Sequence, residues 1–169
     1  MNNLPYLQPD KDYFYNFGIL VLIIESLART KRDKLVLNID KLQTFYFLVT
    51  RPVFLNKVLL LANKKQLNIS ISDYHTVDTI SPNIEELFNR KKITTLLKGM
   101  SRRDYIRLSF DGKDGFLFEL SEKGKNASEQ LSDGYFKNIK NFTNSLLSLQ
   151  SESSPKLNLY INTILKQGM

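Results

Sequence analysis

Apolar residues recur at helical spacing along most of this chain, and short β-prone runs interrupt them. In residues 13–28 apolar side chains fall on every side of a helix, which predicts a central helix packed on several neighbours. Residues 35–37 form a β-prone run long enough only for the edge of a small sheet. Helical spacing returns in residues 42–49, and Pro52 predicts a break before the next helix over 53–61.

The middle of the chain has the pattern of two short helices followed by a β-hairpin. A proline-initiated helix is predicted over residues 82–89, and a second over 92–98, which Gly99 is expected to end. Two short helices with a tight joint are typical of a helix-turn-helix. The β-prone runs 105–110 and 116–120 follow, and the turn between them contains two glycines, so we predict a hairpin.

The C-terminal part is predicted to be helical again. Ser121 suits the cap of a long helix that continues to about residue 149, and Gly134 weakens the middle of this pattern. A polar linker over 151–154 precedes a last amphipathic segment that Pro155 opens. Its apolar face either packs in the core or makes the segment a partner-binding arm, poorly covered in the free protein. Its candidate partner-binding residues are Leu157, Tyr160, Ile161 and Ile164.

The order of elements predicts the fold class. Helix, short strand, helix, helix-turn-helix, hairpin and helix is the order of a winged helix, in which the hairpin is the wing. We therefore predict a mainly α fold with a small β-hairpin (α+β). A winged-helix-like domain would cover residues 1–150, and a C-terminal linker and helix would cover 151–169.

Composition narrows the chemistry. The 169 residues contain 24 Lys plus Arg against 17 Asp plus Glu, a net charge of +7 that indicates an acidic partner such as nucleic acid or an acidic protein surface. The chain has no cysteine, and His75 is its one histidine. We therefore expect no enzyme, no metal site and no cofactor. Its most apolar run, residues 17–24, is too short to span a bilayer, so we expect a cytoplasmic protein.

Basic residues concentrate in the predicted helix-turn-helix and hairpin. Residues 85–113 hold eight basic side chains against four acidic ones. Such a cluster attracts phosphates, but it equally suits docking on an acidic protein surface, or it is simply a solvated face. The candidate nucleic-acid-binding residues are Lys91, Lys92, Lys98, Arg102, Arg103, Arg107 and Lys113. The second short helix has no Asn, Gln or Arg in its body for bidentate base contacts, so we expect little sequence preference.

Two stretches resemble known families. Residues 118–125, Phe-Glu-Leu-Ser-Glu-Lys-Gly-Lys, resemble the end of the wing in bacterial winged-helix proteins. Residues 15–61 consist of a hydrophobic helix, a basic turn, a block with Asp-Lys-Leu-Gln, an aromatic run and a proline, and then Leu55 and Leu59. This stretch resembles the small middle component of ABC-three-component systems, the family that includes the accessory subunit of Lamassu-type antiphage defence.

The resemblance implies a function without catalysis. Middle components bind an SMC-like ABC ATPase that is encoded beside them, together with an effector that is often a nuclease. The chain would then be an accessory subunit in antiphage or anti-plasmid defence that docks on the ATPase and helps it contact DNA. The alternative is a stand-alone winged-helix transcription regulator, which would bind a palindromic duplex as a homodimer.

Overall fold

The fold is mainly helical with one antiparallel hairpin, which confirms the predicted class. The computed structural model describes residues 12–69, 87 and 89–167. Within them the elements are α1 (Tyr13–Leu27), α2 (Ile39–Val49), α3 (Pro52–Leu61), α4 (Arg90–Arg102), β1 (Ile106–Asp111), β2 (Gly115–Leu120), α5 (Glu122–Gln130), α6 (Tyr135–Leu146), a 3-10 turn (Leu147–Leu149) and α7 (Ser154–Gln167). The order is winged-helix-like. The predicted helix over 82–89 lies outside the described residues except for positions 87 and 89.

Helix α1 is the centre of the core, as its apolar pattern predicts. The Asp12 carboxylate caps it by accepting hydrogen bonds from the backbone N–H groups of Phe14 and Tyr15, at 2.8 and 3.1 Å. Residues 18–24 are all buried, and the helix contacts α2, α4, α5, α6 and β2. Gly18 allows the close approach of α6, because a Cβ there would lie 2.6 Å from two ring carbons of Phe136.

The short segment after α1 pairs with the hairpin, but it is not a strand. Arg29 and Leu35 form one isolated bridge, and Asn38 and Leu117 form another. The Phe118 N–H donates to the Leu37 carbonyl at 2.9 Å. The predicted strand over residues 35–37 is therefore reduced to single bridges, because α2 begins at Ile39 and leaves no length for a ladder.

Helices α2 and α3 are separated where the sequence predicts. The Asn38 side chain caps α2 by accepting from the Lys41 N–H at 3.0 Å, and Pro52 opens α3. Among the described residues no single helix is long and apolar enough to cross a membrane. Only α2 and α3 together meet that criterion, as a pair bent by 116°.

Helix α4 is longer than predicted, because Gly99 lies inside it rather than at its end. The helix continues to Arg102 and stops where Asp104 adopts a left-handed backbone with φ +58°. The Tyr105 N–H then donates to the Met100 carbonyl at 2.9 Å, and the Asp104 N–H donates to the Ser101 carbonyl at 3.0 Å. These two bonds form a Schellman motif in which aspartate replaces the usual glycine.

The hairpin has a regular register and two different faces. Its inner face pairs Ile106 with Leu120, Leu108 with Phe118, and Phe110 with Phe116, since directly paired residues share a face. Its other face carries the Arg107–Glu119 and Ser109–Leu117 pairs. The base of the inner face belongs to the core, where Ile106, Phe118 and Leu120 are at most 6% exposed.

The long helix predicted after Ser121 is two helices, α5 and α6. The Ser121 Oγ caps α5 as predicted, by accepting from the Gly124 N–H at 3.1 Å. The chain breaks after Gln130 and restarts at Tyr135, and Gly134 between them has φ +58°. A positive φ suits glycine and interrupts a right-handed helix.

Helix α7 packs into the same core as the rest of the chain. It contacts α2 and α3, and its apolar side chains join the cluster that surrounds α1. Gln150, just before α7, is buried, and its Nε2 donates to the carbonyls of Leu27 and Arg29 at 2.9 Å each. These bonds tie the start of the C-terminal segment to the end of α1.

Candidate nucleic-acid and partner interface

Helix α4 carries the first part of the predicted basic cluster. One face packs on the core through Ile93, Leu96, Leu97 and Met100, each at most 5% exposed. Lys91, Lys98 and Arg102 are exposed on the rest of the helix. Within the described residues none of these three forms an ion pair or a side-chain hydrogen bond. Their charges are therefore open to phosphate or to an acidic protein.

Two residues of the predicted cluster hold α4 in place instead. The Lys92 ammonium lies 5.2 Å from the centre of the Tyr46 ring, a cation–π distance. The Arg103 guanidinium donates to the Tyr13 hydroxyl at 2.8 Å and lies over the Tyr13 ring. Gly99 lies directly against that hydroxyl, which explains a glycine inside the helix. Lys92 and Arg103 thus attach α4 to α2 and α1, a role that sequence spacing does not show.

Arg107 and Lys113 are exposed on the hairpin. Arg107 lies opposite Glu119 in the β-ladder. The pKa of Glu122 lies below its usual value, first because Lys125 donates a hydrogen bond to it at 2.9 Å, and also because Arg107 is near. Lys113 lies in the turn. We call the five outward residues of α4 and the hairpin the basic set: Lys91, Lys98, Arg102, Arg107 and Lys113.

A cleft of about 630 Å³ lies between the end of α1, the hairpin and α5. Arg29 crosses it and donates from Nε and Nη2 to Oε2 of Glu119, at 2.9 and 2.7 Å. The hydrogen bond to Glu119, together with the charge of that carboxylate, raises the pKa of Arg29 above its usual value. Ser128 donates to Glu25 at 2.9 Å on the far wall. The lining mixes both signs of charge, so it gives no strong field for one class of ligand.

The two carboxylates at the end of β2 and the start of α5 each accept a hydrogen bond from a cation. Glu119 accepts from Arg29, and Glu122 accepts from Lys125. In the described part of the chain no group of three or more His, Cys, Asp and Glu side chains could hold a metal ion. His75 lies outside the described residues.

The predicted partner-binding face of the last helix is turned inward. Leu157 and Ile161 are fully buried, Ile164 is 5% exposed, and Tyr160 is half-buried with the Lys156 ammonium 5.9 Å from its ring centre. Of the two interpretations, core or poorly covered arm, the free chain therefore shows the core. The apolar side of the amphipathic helix α7 is the side that packs on α2 and α3. Partner binding through these residues stays a prediction that would require α7 to leave the core.

The hairpin carries an exposed apolar tip that the sequence interpretation missed. Leu108, Phe110 and Phe116 are 46, 71 and 58% exposed. The signal was present, because Leu108 and Phe110 alternate with Arg107 and Ser109 and so share one face. That alternation predicts the strand equally well whether its outer end is covered or open to solvent. We call Leu108, Phe110 and Phe116 the hairpin tip.

These features describe a mainly helical protein with exposed basic and apolar surfaces. The chain belongs to the family ABC-three component (ABC-3C) system Middle Component 4, whose family model matches residues 27–159, more than three quarters of its length. It is therefore a middle component of an ABC-3C defence system, an accessory subunit that works with other components. Comparison with curated proteins and with solved structures gave no match.

Proposed function

We propose that this chain is a non-catalytic accessory subunit that docks on the SMC-like ABC ATPase of a Lamassu-type defence system. The system, with its effector, would act against phages or plasmids. The observation that carries the proposal is the family match over residues 27–159, since a middle component is defined by the system in which it works. In this arrangement nucleotide chemistry belongs to the ATPase, and the chain supplies contact surfaces.

The second part of the proposal is that the basic set helps the ATPase hold DNA. Lys91, Lys98 and Arg102 extend into solvent from α4, which adjoins the hairpin through contacts with β1. Exposed cations bind the DNA backbone and release its counterions, so binding would weaken steeply with salt. Phosphate contacts carry no sequence information, so this binding would show little sequence preference.

Docking is tested with the purified chain and the ABC ATPase encoded beside it. Size-exclusion chromatography with light scattering is expected to show a stable complex of defined stoichiometry. Separate elution of the two proteins at moderate salt would contradict docking. A homodimer that binds a specific palindromic duplex would instead support a transcription regulator.

DNA contact is tested on the same complex with charge reversal. The variant Lys91→Glu, Lys98→Glu, Arg102→Glu is expected to weaken binding of a random-sequence duplex, measured by fluorescence anisotropy, while the ATPase complex still forms. Arg103 is left unchanged because its contacts with Tyr13 support the fold. The matched control reverses three exposed lysines outside the basic set, Lys57, Lys65 and Lys137. Equal DNA affinity of the two triple variants would refute the role of the basic set.

A further inference from the structure

Strand β1 is the edge strand of the hairpin. Strand β2 pairs with β1 on one side and contacts Leu37 and Asn38 on the other, whereas among the described residues no strand pairs with the outer side of β1. Residues 107–110 are all exposed. An exposed edge strand with apolar side chains is a template for pairing with a further strand. The outer edge of β1 is therefore a candidate interaction surface.

The ladder shows which backbone groups point outward from this edge. The Phe118 N–H donates to the Leu37 carbonyl and so points away from β1. Leu108 lies directly opposite Phe118, and in an antiparallel ladder both members of such a pair turn their N–H and C=O groups away from each other. Because these directions alternate along a strand, Leu108 and Phe110 both present their backbone groups to the free edge. Neither residue makes a backbone hydrogen bond outside the hairpin within the described part of the chain.

One antiparallel register joins this edge to the same edge of a second copy. With Ser109 on the two-fold axis, Leu108 of each copy pairs with Phe110 of the other, so the outward backbone groups of both strands meet. The same register sets Arg107 opposite Asp111 of the second copy, once on each side of the axis, and unlike charges in this position stabilise strand pairing. Moving the axis to Leu108 or Phe110 would keep the hydrogen bonds but would leave these charges opposite Ser109. The edge is thus complementary to itself in one register.

The side chains are arranged for these contacts. Asp111 accepts both N–H groups of the turn through Oδ1, which leaves Oδ2 for a guanidinium. On the other face of the sheet, the hairpin tips of the two copies would form one apolar strip across four strands, because directly paired residues share a face. The second copy therefore covers side chains that are 46–71% exposed in the single chain.

The charge of the whole chain does not prevent this contact. Each chain carries a net charge of +7, which opposes self-association. At the contact itself two arginines face two aspartates, so the paired edges are neutral. The remaining charges repel over longer distances, where salt screens them.

We infer that this chain forms a symmetric homodimer in which β1 pairs with β1 of a second copy, with Ser109 on the two-fold axis. The two hairpins then make one four-stranded sheet. The inference concerns the chain itself and does not depend on the proposed docking on the ATPase. In the dimer Arg107 is paired, so DNA contact would depend on the other members of the basic set. Because the paired edges are short, we expect a weak dimer.

A single cysteine tests the position of the axis, because the chain contains none of its own. Ser109→Cys places two thiols in a non-hydrogen-bonded pair, where the Cα atoms lie about 4.5 Å apart and a disulfide can form. Mild oxidation is expected to give a covalent dimer on a non-reducing gel. The matched control is Ser148→Cys, at an exposed serine in the 3-10 turn, and it is expected to stay largely monomeric. Equal crosslinking of the two variants would overturn the inference.

Sedimentation equilibrium of the chain without its ATPase tests the charge pairs. The wild-type mass is expected to rise from monomer toward dimer with concentration, and Arg107→Glu is expected to weaken dimerisation by at least about tenfold, because it sets like charges opposite each other twice. Lys113→Glu makes the same change in charge on the same hairpin and should not weaken it. Thermal unfolding checks that both variants are folded. A wild-type chain that stays monomeric at the highest concentration, or equal weakening by the two variants, would contradict the inferred dimer.

Discussion

The backbone carbonyl of Tyr105 lies directly against the Cα of Gly124, so that an added Cβ at Gly124 would collide with this oxygen. The same carbonyl accepts the Ser121 N–H at 3.0 Å, and the Ser121 Oγ accepts the Gly124 N–H. The start of α5 is thereby fixed against the entry to the hairpin. The glycine in the Glu-Lys-Gly sequence is required by this close approach of two backbones.

Gly124→Ala is expected to destabilise the protein even though alanine is the better helix former. The helix propensity gain is about 1 kcal/mol, whereas forcing a methyl group against backbone that cannot rotate away costs about 1–3 kcal/mol. The measurement is the free energy of unfolding in urea. Gly112→Ala is the control, because a Cβ there meets nothing within 4 Å. If both variants were as stable as wild type, the tight contact with Tyr105 would be refuted.

Gln150→Ala is expected to lower the free energy of unfolding by about 1–3 kcal/mol, since it leaves buried carbonyl groups without a donor. One acceptor is the Leu27 carbonyl in the last turn of α1, where helix geometry provides no partner, and the other is the partly buried Arg29 carbonyl just beyond the helix. Chemical denaturation measures the change. Gln130→Ala removes an exposed glutamine and is expected to change stability little. A loss no larger than that of the control would show that Gln150 does not tie the C-terminal segment to α1.

Local patterns predicted most elements of this fold because those elements depend on local chemistry. The central helix follows from its apolar run, and the α2–α3 break follows from Pro52. The end of α4 could not be predicted in this way. Gly99 looked like a helix stop, but its small size is needed for Tyr13, and Asp104 ends the helix instead. A contact between residues far apart in sequence decided the role of that glycine.

The candidate site was predicted in part for the same reason. Basic residues on α4 and the hairpin were identified from spacing, and six of the seven are exposed, five of them without an ion pair or a side-chain hydrogen bond within the described residues. Lys92 and Arg103 instead contact aromatic rings on other helices, and those partners are visible only in three dimensions. An amphipathic pattern also does not distinguish a face that binds a partner from one that packs on the core. This ambiguity explains why the role of α7 stayed open in the sequence and why the hairpin tip was overlooked.

Ile161→Ala is expected to destabilise the isolated chain by about 2–5 kcal/mol, because it opens a cavity where α7 packs into the core. Leu159→Ala on the same helix removes a side chain that is 63% exposed and is expected to change stability by less than about 0.5 kcal/mol. Urea unfolding gives both values. Similar small losses in the two variants would indicate that α7 is a loosely attached arm, as the amphipathic pattern suggests. Limited proteolysis of wild type is expected to leave α7 intact.

The turn of the hairpin is expected to weaken in acid. Two backbone N–H groups donate to the Asp111 carboxylate, and this holds its pKa below the usual value of about 3.9. Because the folded pKa is lowered, the stabilisation is complete above that usual value and is lost as the pH falls through the folded pKa. NMR amide shifts of Lys113 and Asp114 should titrate with a midpoint below about 3.9. Asp111→Asn should abolish this titration, and a midpoint above the usual value would contradict the turn geometry.

The salt dependence of DNA binding distinguishes phosphate binding by the basic set from general attraction to a positive protein. Neutralising Lys91, Lys98 and Arg102 to Gln in the ATPase complex should reduce the slope of log affinity against log salt by about 0.9 for each phosphate that is no longer neutralised. Neutralising Lys57, Lys65 and Lys137 changes the net charge equally and should leave the slope nearly unchanged. Anisotropy titrations with one duplex between about 50 and 200 mM salt cover the range over which such binding weakens strongly. Equal slopes for the two triple variants would mean that net charge alone attracts DNA. The two variants have the same net charge, so their slopes can differ only if the basic set binds phosphates directly.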